Sequence, residues 1–537
     1  MLGLNSCSTK AQQFCGFLCT FAAKHPNLQP PVNLIQRAHY HTQRTAIKDE
    51  SGSYTYGQLL QQSGALASML LQEQPHLQET RVAFLCMPGF GYVAAQWAVW
   101  RAGGIAVPLS AHHPLPEINY ILHNCGATVL LYEPVFETLL APVLAAGVLR
   151  AVCLPASMVP ASGNTRLPFV LPKQKALILY TSGTTGKPKG VVLTHLNLEA
   201  QIMPLIDAWQ WQPDDYILHT LPLHHTHGIV NALCCALWQG ACCHFLPAFD
   251  AAAVWRAFLQ LPVTLFMGVP AMYQKLITYY WQQPQPMQQL LSAACSKLRL
   301  MVSGSAALPV NVLQTFRQIS GHTLLERYGM TEIGMALSNP YKGERLPGLV
   351  GKPLPGGVTV RITDENNHPL PDGETGELQV KGDAVFLEYW QNPEATRQAF
   401  TPDGWFKTGD MVQVQEGNYR IAGRISTDII KTGGYKVSAP EIEEMLRNNP
   451  YIADCAVVAI PHEQWGEAVS AAVVLNTLQL PVPVSEMAAF LRQWCKTQMA
   501  TYKTPVNWLF LDQLPRNAMG KIVKPHLKQL FLKQNEG

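Results

Sequence analysis

A chain of 537 residues, 48% hydrophobic and 14% charged, carries enough apolar material for a large domain and a smaller one, and does not have the composition of a disordered polymer. Its formal net charge of +3 is too small for a general nucleic-acid binder. No apolar run reaches the length of a membrane span; the richest, from Thr128 to Leu154, is broken by Glu133, Glu137 and Arg150.

The start of the chain is acid-poor. No Asp or Glu precedes Asp49, whereas Lys10, Lys24, Arg37, Arg44 and Lys48 do. Residues 1–29 are therefore expected to be a leader, either a mitochondrial transit segment or a disordered start. From about residue 30 to 175, strand and helix patterns alternate. Arg81–Cys86 reads as a buried strand, Tyr92–Ala102 as an amphipathic helix ended by Gly103-Gly104, and Ile105–Leu109 as the next strand, which together make a βαβ unit. Pro155–Pro172 reads as a loop. A second α/β block follows from Ala176 to about Ser338, with inner strands near Val263–Val269 and Leu298–Val302. From Gly348 to Tyr419 short strands and frequent turns predict a small β-barrel or twisted sheet. A boundary falls near 424–428. Beyond it, Ser438-Ala-Pro-Glu441 predicts a capping box opening a helix, and Ile452–Ile460 and Ala468–Leu475 read as strands. The 13 cysteines include two adjacent pairs, Cys234-Cys235 and Cys242-Cys243, but no CxxC spacing, which suits buried free thiols in a reducing compartment better than disulfides or zinc.

The strongest motif is Tyr180-Thr181-Ser182-Gly183-Thr184-Thr185-Gly186-Lys187-Pro188-Lys189-Gly190. Its glycines allow tight turns against an anion, its hydroxyls can bond phosphate oxygens, and its two lysines can neutralise them. Apolar strands bracket it on both sides, whereas a Walker loop would open a helix, so this is a different phosphate cradle.

This loop resembles the signature of the adenylate-forming superfamily, which comprises acyl-CoA synthetases, luciferases and the adenylation domains of peptide synthetases. Spaced motifs extend the resemblance from about residue 30 to 530. It implies an α/β protein: a large N-terminal domain, 30–424, of doubly wound α/β subdomains plus a β-barrel, and a smaller mobile α+β lid, 425–537. It implies ATP, Mg²⁺ and coenzyme A as cofactor and co-substrates. By the same resemblance, Gly304-Ser305-Ala306 and Tyr328-Gly329 line the adenine pocket, Thr331 meets phosphate, and Glu332 holds Mg²⁺, as suits a hard cation. In Leu221-Pro-Leu-His-His-Thr-His-Gly228, His225 matches the histidine beside the reacting carboxylate. Asp410 is implied to bind the ribose hydroxyls and Arg424 to contact the nucleotide. Lys431–Val437, with Gly434, is implied to line a CoA tunnel, and Lys521, in Pro515-Arg-Asn-Ala-Met-Gly-Lys521, to be the catalytic lysine. The stretch after Arg424 is one residue longer than the common pattern, leaving the hinge at Ser426 or Asp428.

The segments Arg299–Pro309 and Glu326–Met335 resemble the malonyl-CoA synthetases, the mitochondrial branch above all. That implies a dicarboxylic substrate, malonate or methylmalonate, with Ser303 at the acid and Arg299 on the distal carboxylate. His244 is the one cation near Gly240–Phe249, where some bacterial relatives place an arginine. Two rivals remain: a medium-chain or aromatic acid–CoA ligase, which has no need of Arg299, and a stand-alone adenylation enzyme feeding a carrier protein. A eukaryotic source implies the mitochondrial matrix, any other source the cytoplasm.

Overall fold

The computed structural model describes residues 33–154, 167–181, 188–476, 480–517 and 520–536. The possible leader and most of the phosphate loop, Ser182, Gly183, Thr184, Thr185, Gly186 and Lys187, lie outside the described residues.

Two mixed sheets carry the first part of the chain. In one, six neighbouring strands run parallel in the order Leu325–Met330, Leu300–Ser303, Leu265–Gly268, Tyr216–His219, Cys242–Phe245 and Thr45–Asp49. In the other, five run parallel: Lys175–Thr181, Ile105–Pro108, Arg81–Leu85, Val129–Tyr132 and Arg150–Cys153. The innermost strands are buried along their whole length, as strands covered on both faces must be. Strand bounds differ from the sequence expectation by one or two residues, the usual fraying of such edges.

The helix expected over Tyr92–Ala102 spans Phe90–Arg101, but it is not amphipathic. Every residue from Tyr92 to Trp100 is buried, in the one large core cluster that draws side chains from both sheets. Its neighbour, Tyr56–Leu71, opens on a capping box in which Thr55 accepts from the Gln58 amide and the Gln58 side chain accepts from Thr55.

The small β unit is a four-stranded antiparallel sheet in the order Thr359–Thr363, Thr375–Lys381, Phe406–Gln415, Asn418–Arg424. After Arg424 comes a separate sheet, built mainly on the long antiparallel pair Ile452–His462 and Gly466–Leu475, with its own apolar core. Ser438 caps the helix Ala439–Leu446 by accepting from the Glu441 amide. The reciprocal half of the expected box is not formed, because the Glu441 carboxylate turns to Lys503 Nζ, 2.5 Å away.

Ten cysteines are free thiols among the described residues, and burial pushes most of their pKa values up. No helix among those residues is long and apolar enough to cross a membrane.

Candidate active site

In open parallel sheets, ligands bind beyond the carboxyl ends of the strands. Most of the sequence motifs converge on that edge of the first sheet. Strand Leu300–Ser303 delivers Ser303, Gly304 and Ser305. The adjacent strand Leu325–Met330 delivers Arg327, Tyr328 and Gly329, then Thr331 and Glu332. The segment after Tyr216–His219 delivers His225 and His227.

Direct contacts tie these segments together. Thr226 Oγ1 donates to Thr331 Oγ1 at 3.3 Å. His227 Nδ1 lies 3.1 Å from Ser305 Oγ. Ser305 is held at φ 68°, a left-handed conformation that a non-glycine residue adopts only when its surroundings enforce it. His227 opens a π-helical stretch, His227–Cys234, a local rarity that recurs at functional sites.

The small β sheet supplies the rest. Asp410 and Arg424 are register partners on adjacent strands. Arg424 Nη1 donates to Asp410 Oδ1 at 3.0 Å, and the Tyr328 hydroxyl donates to Asp410 Oδ2 at 2.5 Å. Burial opposes the Arg424 charge, but Asp410 outweighs it and the pKa is raised. Glu332 is buried, which raises its pKa, and Tyr389 donates its hydroxyl to Oε1 at 2.9 Å. Lys189 Nζ sits 5.2 Å from the Tyr389 ring centroid, so the far stem of the phosphate hairpin, paired Thr181 to Lys189, reaches the same place.

Lys521 arrives from the other sheet. Its loop is closed by the bridge Arg516–Ile522, by Arg516 bonded to Asp454 at 2.5 Å, and by Asn517 Oδ1 accepting the Lys521 amide at 3.0 Å. A methyl on Gly520 would lie 3.4 Å from Ala271 Cβ, so the loop packs on the helix Pro270–Trp281 of the first sheet. Lys521 keeps solvent access, yet crowding by protein and then the Arg424 charge lower its pKa. Desolvation brings His225 down to about 4, with Lys521 adding to the shift, so the imidazole is neutral at pH 7. Gly434 stands apart from this cluster, exposed on the Ile429–Thr432/Tyr435–Ser438 hairpin.

One expected contact is not made. Arg299 precedes its strand and sits at the opposite, amino edge of the sheet, four residues or about 13 Å of strand from Ser303. There Nε and Nη2 donate to the two oxygens of Asp215 at 2.6 and 2.5 Å, and Nη1 to the Trp209 carbonyl at 2.9 Å. Arg299 is a closed structural ion pair. His244 is likewise occupied, 2.6 Å from the Tyr216 hydroxyl.

The arginine at the site is Arg327, which the sequence reading passed over inside a motif it had already assigned. It is buried, and neither Nε nor Nη2 has a hydrogen-bond partner among the described residues. Desolvation pulls its pKa down to about 9. Gly304 is what makes room: a Cβ there would fall 2.3 Å from the Arg327 Cζ. Beside it, Ser303 Oγ and His227 Nε2 are also buried and have no hydrogen-bond partner among the described residues. No local sequence signal singled it out: Arg327 lies just past Glu326, the register partner of Ser303, whereas Arg299 precedes the start of its own strand.

By its chemistry Glu332 fits the magnesium ion expected there. It offers a buried hard oxygen, and no group of three or more His, Cys, Asp or Glu among the described residues could enclose a metal without other ligands. Such a site suits a cation shared with substrate phosphates.

A family profile described as AMP-binding enzyme matches residues 34–390, and one described as AMP-binding enzyme C-terminal domain matches residues 441–521. The mitochondrial malonate–CoA ligase of Homo sapiens is 43% identical over 555 residues, spanning 96% of this chain and 94% of that protein. The malonate–CoA ligase of Arabidopsis thaliana is 38% identical over 531 residues, spanning 90% and 86%. The crystal structure of ATP-bound MatB from Rhodopseudomonas palustris matches with a TM-score of 0.82 at 33% identity, covering 94% of this chain and 99% of that one. A malonyl-CoA ligase complex with methylmalonyl-CoA and AMP matches at 0.64 and 34% identity, covering 88% and 97%. The chain belongs to the AMP-binding enzyme family.

Proposed function

We propose that this chain is an ATP-dependent acid–CoA ligase whose acid is malonate, with methylmalonate as a second substrate. The observation that carries the choice of acid is the Arg327 guanidinium beside Ser303 and His227, whose Nε and Nη2 have no hydrogen-bond partner among the described residues. A buried cation without a partner is costly, and so is the free carboxylate of a bound dicarboxylic acid. Pairing them relieves both, and each unmatched group stands to cost ~3–5 kcal/mol. A medium-chain or aromatic acid gives Arg327 nothing to bind.

In the first step a carboxylate oxygen bonds to the α-phosphorus of ATP. The bond from that phosphorus to the bridging oxygen breaks, and pyrophosphate leaves with the electron pair. Both reactants are anions, so positioning and charge stabilisation supply most of the rate gain. The Lys521 ammonium is the group we assign to the reacting carboxylate and α-phosphate. Neutral His225 serves as a hydrogen-bonding dipole there. Asp410 already accepts from Tyr328 and Arg424, and its remaining lone pairs suit the two ribose hydroxyls. Gly304, Ser305, Tyr328 and Gly329 are assigned to the adenine, and the 181–189 hairpin with Thr331 to the phosphates. A magnesium ion held by Glu332 would neutralise phosphate charge. In the second step the CoA thiolate bonds to the acyl carbon and the bond to AMP breaks. We assign Lys431–Val437, with Gly434, to the CoA path, after rotation of residues 425–537 about the turn at 425–428.

The mitochondrial names of animal relatives and the acid-poor N-terminal stretch support a matrix address in a eukaryotic source. Arg327→Met tests the acid. Its kcat/KM should fall at least ~100-fold for malonate, as expected for ~3 kcal/mol of lost pairing, and change little for butyrate. Equal loss on both acids would overturn the malonate assignment.

A further inference from the structure

Three residues past Lys521, Lys524 opens the last helix, Lys524–Glu536. Its ammonium lies 2.6 Å from Asp428 Oδ1 and 2.9 Å from Glu443 Oε1. All three side chains are largely sheltered from solvent, at 14%, 20% and 10% exposure. Each carboxylate has a second task. Asp428 Oδ2 accepts the Arg424 amide at 3.0 Å, and the Asp428 carbonyl accepts the Ala439 amide at 2.8 Å. Glu443 Oε1 accepts the Val457 amide at 2.8 Å, on the strand Ile452–His462 of the C-terminal sheet. The turn at 425–428 is thus folded around Asp428, while Ser426 is exposed.

These contacts form one unbroken line. The Lys521 loop leads into Lys524, Lys524 holds Asp428, Asp428 holds the main chain of Arg424, and Arg424 holds Asp410. We propose that Lys524 is a positioning residue: it joins the loop carrying Lys521 to the turn at 425–428, and so to the Asp410–Arg424 pair, and thereby sets where the Lys521 ammonium sits during acyl-adenylate formation. This rests on the functional reading above. The chemistry favours such a role over plain stability. One ammonium shared by two carboxylates from different elements fixes their separation, and a displacement of about 1 Å at a reacting group costs on the order of 100-fold in rate. Lys524 need not act once the adenylate exists, because Lys521 has no part in thiolate attack.

The two half-reactions separate these roles. Acid-dependent exchange of labelled pyrophosphate into ATP reports adenylate formation, and a single turnover of synthetic malonyl-adenylate with CoA reports the second step. Lys524→Met should lower the exchange rate by about 100-fold and leave thioester formation within about threefold of wild type. Lys524→Arg, which can still bridge the two carboxylates, should recover most of the exchange. Glu443→Gln, which keeps the acceptor for the Val457 amide but loses the charge facing Lys524, should show the same split in weaker form. It decides the matter should Lys524→Met fail to fold. Equal loss in both half-reactions, or no loss in exchange, would overturn the proposal. The functional reading fails separately: a wild-type chain exchanging with another acid but not malonate would refute the acid, and Lys524 would then be read with that acid.

Discussion

Arg299 and Arg327 differ in what surrounds them. Arg299 has both oxygens of Asp215 and a Tyr341 ring 5.3 Å from its Cζ, and its pKa is raised because Asp215 outweighs the cost of burial. Arg299→Ala would leave Asp215, 3% exposed, as a buried carboxylate without its cation. The expected outcome is a loss of ~3 kcal/mol in unfolding free energy, read by urea denaturation, with the malonate KM unchanged. A raised KM at wild-type stability would return Arg299 to the acid pocket. The roles of single residues were partly legible in the sequence. The type and spacing of Glu332, Asp410 and Lys521 carried the resemblance, and the structure brings all three to one edge. Which arginine faces that edge was not legible, because it depends on strand direction and on the space left by Gly304.

At the scale of elements, hydrophobic runs identified the inner strands, since a strand buried on both faces has no other pattern to show. The helix Phe90–Arg101 was read as amphipathic because its neighbours were unknown; packing on all sides is a tertiary fact. The histidine-rich segment is another case. Desolvation brings His219 and His225 down to about 4, His224 to about 2, and His195, on the following helix of the other sheet, to about 3. Unfolded histidine titrates near ~6.5, so below that pH the unfolded chain binds more protons than the folded one. The stability held by these four groups is complete above pH ~6.5 and is lost as pH falls through the folded values. Glu326, raised by burial to about 8, works in the opposite sense, as do Glu133, Glu199 and Glu332, whereas His113, His227, His244 and His322 are lowered by burial and add to the histidine side. The melting temperature should therefore fall between pH 7.5 and 5.5, a window in which ordinary carboxylates do not titrate. Scanning calorimetry checks this; a flat or rising profile would contradict the neutral, buried state of the cluster.

For the whole molecule, the placement of Lys521 bears on the half-reaction that the proposed function assigns to this arrangement. Its loop rests on the helix Pro270–Trp281. Two further contacts join the same parts of the chain: Lys436 Nζ to Glu365 at 2.5 Å, and Glu444 Oε1 accepting the Val310 amide at 3.2 Å. These contacts support the proposal that the arrangement is set for adenylate formation, from which the proposed CoA step requires rotation. The sequence places a domain boundary near 424–428, but contacts across it join residues far apart in the chain and leave no local signature. The account stands most directly on AMP formed from ATP by the purified chain, quantified by chromatography with malonate in the presence and absence of CoA. Stoichiometric AMP and malonyl-CoA, requiring all three substrates, is the predicted result; no AMP with malonate under any condition would contradict it.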